Sequence, residues 1–303
     1  MTEPGRTNDE AAYGLAPAGF RMSPAARVGR VRLQMANIVR SVEFYRDVLG
    51  FHVDRDGGRA DLGAGSGESS LIELHEKPGV APVPRRGRLG LYHFAILLPD
   101  RPSLGRFLTH LSELGVRPGA SDHLVSEALY LQDPDGLGIE VYADRPRSEW
   151  RHRDGQLVMA TEPLDIAGVV RAGEGRRWDG MPAGTRIGHV HLHVGDLERA
   201  EAFYHRALGL DKVVWSYPGA LFLSAGGYHH HLGLNTWAAG AAPAGDGDAR
   251  LLDWEIRVPS GDDAEAALGS LETTGYPVEW SGQAGVAADP WGTRLRIEAG
   301  DPA

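Results

Sequence analysis

Ile38-Val-Arg-Ser-Val-Glu-Phe-Tyr-Arg-Asp-Val-Leu-Gly50 follows the alternating segment Val31-Arg-Leu-Gln-Met35, and the same arrangement returns far downstream. There, His189-Val-His-Leu-His-Val194 leads to Leu197-Glu-Arg-Ala-Glu-Ala-Phe-Tyr-His-Arg-Ala-Leu-Gly209. The Phe-Tyr pairs and the closing glycines share one offset, 159 residues. Each copy reads as a short strand, by its period-two alternation, then an amphipathic helix stopped by glycine. Two unrelated helices would not match at both places, so the chain carries an internal repeat.

Two weaker copies complete the pattern. Tyr92-His-Phe-Ala-Ile-Leu-Leu98 precedes a helical pattern over Leu104 to Gly115, and Leu252-Asp-Trp-Glu-Ile-Arg-Val258 precedes one over Ala264 to Gly275. Further strands follow each helix, so the chain reads as four βαβββ units, an α+β organisation. The segment 1–27, rich in Gly, Pro, Ala and polar residues, reads as a mobile leader. Residues 28–144 hold units 1 and 2, 145–184 form a long connector, and 185–300 hold units 3 and 4. A connection of that length usually has structure or function of its own.

Composition narrows the chemistry. The chain has 303 residues and no cysteine, so thiolate metal sites and disulfides are excluded. Any metal must be held by His, Asp or Glu. A net charge of −10 argues against a nucleic-acid partner. No apolar run approaches the ~20 residues that span a bilayer. With no apolar signal core near Met1, the cytoplasm is the expected compartment.

Chemistry-bearing residues gather in unit 2. Ser121-Asp-His-Leu-Val-Ser-Glu-Ala-Leu-Tyr-Leu-Gln-Asp-Pro-Asp-Gly-Leu-Gly-Ile-Glu140 reads as strand, tight turn at Asp133-Pro134-Asp135-Gly136, and strand. The hairpin presents His123, Tyr130 and Glu140 together. It resembles the signature of extradiol catechol dioxygenases, with Ser121 a minor departure. The four units, over roughly residues 28 to 299, resemble the vicinal oxygen chelate superfamily, which includes glyoxalase I and the fosfomycin-resistance proteins. That resemblance implies units paired into two curled mixed-sheet cups, with metal ligands on the first and last strands of a unit.

The first-strand positions are Arg30, His93, His189 and Asp253; the last-strand positions are Glu73, Glu140, Gly233 and Arg296. The complete set is therefore His93, Glu140 and His189, and it requires unit 2 to pair with unit 3, leaving unit 1 with unit 4. His191 could substitute for His189. Taken singly, a strand histidine is more often a plain buried or surface residue. Glu73 reads as a solvated strand residue. Two histidines and a carboxylate suit non-haem Fe(II), and Mn(II) fits similar donors.

By the same resemblance, the run Tyr228-His-His-His-Leu-Gly-Leu-Asn235 supplies an acid/base histidine. His230 matches best, with His229 and His231 as alternatives; in a strand, 229 and 231 would share one face. Tyr130 and His123 would orient the substrate, and Trp215, Phe222, Leu234 and Trp237 are candidates for its lining. The implied activity is catechol 2,3-dioxygenase: Fe(II)-dependent cleavage beside the diol of a catechol by O2, giving a 2-hydroxymuconic semialdehyde-type product in aromatic catabolism. A metal-dependent glyoxalase-like isomerase or lyase, or a drug-resistance type binding protein without chemistry, are the rival readings. A homo-oligomer is compatible with the sequence, which does not determine the assembly.

Overall fold

A computed structural model describes residues 13–65 and 69–300. Unit 1 runs β1 (Arg27–Met35), α1 (Ile38–Glu43), β2 (His52–Asp56), β3 (Arg59–Gly63) and β4 (Ile72–Glu76). Unit 2 runs β5 (Gly90–Leu97), α2 (Arg101–Glu113), β6 (Gly119–Asp122), β7 (Ser126–Gln132) and β8 (Gly138–Asp144). The connector carries a small hairpin, β9 (His152–Arg153) and β10 (Gln156–Leu157), then α3 (Ile166–Ala172). Unit 3 follows as β11 (Arg186–His193), α4 (Leu197–Glu201), β12 (Asp211–Val214), β13 (Ala220–Ser224) and β14 (Leu232–Asn235). Unit 4 closes with β15 (Arg250–Val258), α5 (Gly261–Thr273), β16 (Val278–Ser281), β17 (Ala284–Ala288) and β18 (Arg294–Ala299).

The helices start alike for one physical reason. Asn37, Asp100, Asp196 and Ser260 each turn a side-chain oxygen onto the backbone N–H three residues on, satisfying a donor that the helix itself leaves free. In units 1 and 3 the repeated Phe-Tyr stretch then widens into a π-turn, at Phe44–Val48 and Ala202–Ala207.

Two curled eight-stranded mixed sheets result. One has the order β12-β13-β14-β11-β5-β8-β7-β6 and so holds units 3 and 2; the other, β16-β17-β18-β15-β1-β4-β3-β2, holds units 4 and 1. The seam of each is an antiparallel pair of first strands, β5 with β11 and β1 with β15. Strand alternation sorts the faces. Val31, Leu33, Phe94, Ile96, Val190, Leu192, Trp254 and Ile256 enter one shared core with the helices. Arg30, Arg32, His189 and His191, out of step with them, belong to the opposite faces.

Hydrogen bonds tie the sheets across each half of the chain. The turn aspartate Asp133 accepts from the backbone N–H groups of Asp135 and Leu137, and from Tyr45 of unit 1 at 3.4 Å. Asp289, in the matching Asp-Pro-x-Gly turn of unit 4, accepts from Trp291, Thr293 and Tyr204 of unit 3. The repeated Phe-Tyr therefore exists to meet the repeated turn. Gly136 has φ +84, the left-handed geometry its turn requires.

Burial pushes the Asp133 carboxyl up to about 7. A raised carboxyl pKa in the folded state means the proton favours folding. This stability is present below the unfolded value of about 4 and is lost as pH rises toward 7. Asp133→Asn keeps an oxygen for both N–H groups and removes the charge. Its melting temperature relative to wild type should rise between pH 5 and 8, at about 1.4 kcal/mol per pKa unit relieved; a constant difference would refute the assignment.

Two sequence expectations need correction. Glu73 is not solvated: it is buried, 2.6 Å from His75 Nε2 and 3.2 Å from each of Arg30, Arg32 and Arg59. It belongs to a charged cluster inside the sheet of units 1 and 4. The leader is not free of the fold from Tyr13 onward. Tyr13 donates to the Gly227 carbonyl, Leu15 pairs with Lys212, Arg21 pairs with Asp211, and Met22 is buried. Residues 1–12 lie outside the described residues.

Candidate metal centre and cavity

The seam of β5 and β11 brings three buried side chains to one point. His93 comes from β5, His189 from β11 and Glu140 from β8, which runs parallel to β5. His93 Nε2 lies 3.0 Å, and His189 Nε2 3.3 Å, from the same carboxylate oxygen, Glu140 Oε2. One potential ligand atom from each residue falls within 4.8 Å of the others. The His93 nitrogen is fully buried yet not aligned for a hydrogen bond.

Protonation sharpens the point. Burial lowers the His189 pKa to about 4, so its imidazole is neutral near pH 7. Burial opposes the charge on Glu140, but the neighbouring His189 and His93 outweigh it and hold the carboxyl well below its ordinary value. A neutral imidazole, a second histidine and an anion thus converge in a site shielded from water. Such a cluster fits a cation, and two imidazoles with one carboxylate leave open positions on an octahedral ion.

His191 does not join this cluster. Its Nε2 accepts from Asn235 Nδ2 at 3.0 Å, and Asn235 Oδ1 takes His193 Nδ1 at 2.7 Å. Gly233 explains the ring's position: a Cβ there would meet His191 Cγ at 2.8 Å. Among the described residues Glu140 is therefore the one carboxylate in the cluster, and the last-strand place of unit 3 is filled by an imidazole stacked over glycine.

Beside the cluster lies a cavity of about 300 Å³. Its polar wall includes His123, Tyr130 and His230; its apolar and aromatic wall includes Met159, Tyr217, Phe222 and Trp237. Among the described residues its lining contains no Lys or Arg. A larger open groove adjoins it through Tyr92, His93, Tyr130 and Trp237. Phe222 and Trp237 line the cavity as expected from sequence. Leu234 points into the core instead, and Trp215 lies outside the lining.

The connector supplies a wall that strand patterns gave no reason to expect. Asp122 exchanges backbone hydrogen bonds with Glu162, bringing Met159, Ala160 and Thr161 over the cavity. Ala160 also fixes His123. A carbonyl can only accept, so His123 Nδ1 donates to Ala160 O at 2.7 Å. In the neutral ring Nε2 is then the acceptor, and Tyr130 OH donates to it at 2.6 Å. The turn that carries His123 is strained, with Leu124 at φ +69 and its N–H held by Asp122 Oδ1.

The histidine run is not a strand. Tyr228 to His231 form the turn before β14, so simple alternation fails. His230 lines the cavity, with its ring centroid 4.1 Å from that of His189. His229 is fully buried behind it.

Comparison with known proteins agrees with this architecture. The model of the glyoxalase/bleomycin resistance protein/dioxygenase superfamily matches residues 27–141 and 186–297. Catechol-2,3-dioxygenase of Bacillus subtilis is 46% identical over 256 residues, covering 83% of this chain and 90% of that protein. Biphenyl-2,3-diol 1,2-dioxygenase 3 of Rhodococcus globerulus is 26% identical over 164 residues, 50% of this chain and 86% of the relative. Among solved structures, one from Bacillus subtilis aligns with a TM-score of 0.63 at 15% identity, over 92% of this chain and 86% of the other. Glyoxalase I of Zea mays aligns with a TM-score of 0.51 at 19% identity, over 90% and 92%. These two likenesses speak to the fold alone.

Proposed function

The chain belongs to the glyoxalase/bleomycin resistance protein/dioxygenase superfamily, and from that premise we propose that it is an extradiol ring-cleaving dioxygenase acting on catechol or a substituted catechol. The observation that carries the reading is the convergence of His93, Glu140 and His189 beside a small cavity walled by His123, Tyr130 and His230. The 46% identical relative, itself called a catechol-2,3-dioxygenase, supports the reaction class.

Fe(II) is the proposed ion, held by His93, His189 and Glu140; Mn(II) fits the same donors. When bound, it would supply a redox-active centre at which both catechol oxygens and O2 are brought together. The protein's own groups do the rest. His230, neutral because burial lowers its pKa well below the ordinary value, can take a proton from a catechol hydroxyl and return it to the product. Tyr130 is oriented by His123 and keeps its oxygen lone pairs for a substrate hydroxyl. The aromatic wall excludes water and stacks on a ring. A cavity of about 300 Å³ with no Lys or Arg among its described lining residues suits an uncharged, single-ring catechol. A small-molecule enzyme without a nucleic-acid partner accords with the net charge of −10.

The glyoxalase-like reading would draw a second carboxylate from unit 3, where Gly233 and the His191 ring stand instead. Oxygen consumption separates the two. Protein reconstituted anaerobically with Fe(II) should take up O2 on addition of catechol and form a yellow ring-opened product. Silence across a panel of substituted catechols, with Fe(II) bound, would overturn the proposal. Turnover of another substrate with Zn(II), Ni(II) or Co(II) and no O2 uptake would favour the isomerase.

A further inference from the structure

Behind His230 a chain of hydrogen bonds runs away from the cavity. His230 Nδ1 lies 2.7 Å from His229 Nδ1, and His229 Nε2 lies 3.0 Å from Asp144 Oδ1. Tyr228 OH donates to that same oxygen at 3.2 Å and is itself 2.7 Å from Tyr142 OH. The His229 ring is packed by Tyr142, Trp150 and Tyr228. None of this is needed to build a turn, and a fully buried imidazole between an acid and a second imidazole calls for an explanation.

Donor and acceptor counting gives one. An ionised carboxylate only accepts, so His229 Nε2 carries a proton. In a neutral ring, His229 Nδ1 is then a lone pair. Two lone pairs cannot face each other at 2.7 Å, so His230 Nδ1 must carry the hydrogen between them. That leaves His230 Nε2 unprotonated, and among the described residues it has no protein partner. We propose that Asp144 and His229 are positioning residues: they fix His230 in the Nδ1–H form, so that its Nε2 lone pair is available in the cavity. A base presented in the wrong tautomer offers a hydrogen where a lone pair is needed, which is why an orienting acid behind a catalytic histidine matters for rate. The catalytic consequence rests on the dioxygenase reading; the tautomer assignment does not.

Long-range 1H–15N NMR of the full-length, metal-free protein reads the tautomer directly. His230 should show a protonated Nδ1 and a pyridine-like Nε2. Two variants separate positioning from packing. In His229→Asn the amide oxygen can stand near the place of the Nδ1 acceptor, and the His230 tautomer should be kept. In His229→Phe the ring volume stays but the acceptor is lost, and His230 should become a mixture of tautomers. With Fe(II) and catechol, His229→Phe should lower kcat by about tenfold or more at nearly unchanged KM, and His229→Asn should restore most of it. A wild-type His230 protonated at Nε2, or an unchanged tautomer in His229→Phe, would overturn the proposal. Should His229→Phe fail to fold, the wild-type and His229→Asn spectra still decide. The expected tautomers without oxygen uptake on any catechol would instead sink the dioxygenase reading and leave the positioning role standing.

Discussion

Glu140→Ala should lose the metal and with it the activity. Both imidazoles approach one oxygen of this carboxylate, and among the described residues the site holds no second anion. Removing it should weaken Fe(II) binding by more than the roughly 10- to 100-fold that follows loss of an outer hydrogen-bond partner. Oxygen uptake with catechol should fall to background. A second readout is independent of turnover. Wild-type protein should gain thermal stability as Fe(II) is added, since a ligand that binds only the folded state stabilises it by mass action. The variant should show no such gain. Retained Fe(II) affinity in Glu140→Ala would remove this residue from the site.

Arg32→Ala should be the most damaging single change to stability outside the cavity. The strand position that carries histidines in the other sheet carries arginines here. Arg32 pairs with Asp253, lies 2.7 Å from Glu255 Oε1 and 3.2 Å from Glu73 Oε2. Glu255 and Glu73 are 0% and 4% exposed at the side chain, so they cannot turn to water for compensation. Arg30, Arg59 and Arg257 remain beside Glu73 and Glu255, and Arg296 lies 3.9 Å from Asp253, but none replaces the bridge that Arg32 makes between all three carboxylates. Breaking a buried ion pair by deleting one partner costs ~3–5 kcal/mol, because it strands the other charge. For a chain of this size that is about 10 °C in melting temperature. Removing the charge of Glu255 together with Arg32 should recover part of the loss, and a double-mutant cycle measures the coupling. Fe(II) affinity should be unchanged, since these residues lie in the other sheet. A loss below about 1 kcal/mol would show the cluster to be no more than a surface network.

The sequence by itself determined what is periodic and local. Alternation identified the first strands, glycine marked the helix ends, and the repeat with its two weaker copies defined four units. Repeat position also singled out His93, Glu140 and His189, which the fold brings within 4.8 Å. They converge because equivalent strands place equivalent residues on the same face. The tertiary structure decided what depends on partners far away in the chain. His191 shares its strand face with His189, yet Asn235 and the missing side chain at Gly233 draw it aside. Glu73 looks like any strand carboxylate until arginines from β1 and β3 close around it. The connector becomes a cavity wall through a backbone pairing of Asp122 with Glu162, which has no side-chain signature. His229 and His230 left the expected alternation because the chain turns before β14, and that turn directs one ring to the cavity and the other to Asp144. Period and turn chemistry are written residue by residue; which charge neutralises which, and which ring nitrogen keeps its proton, is settled only when distant strands meet.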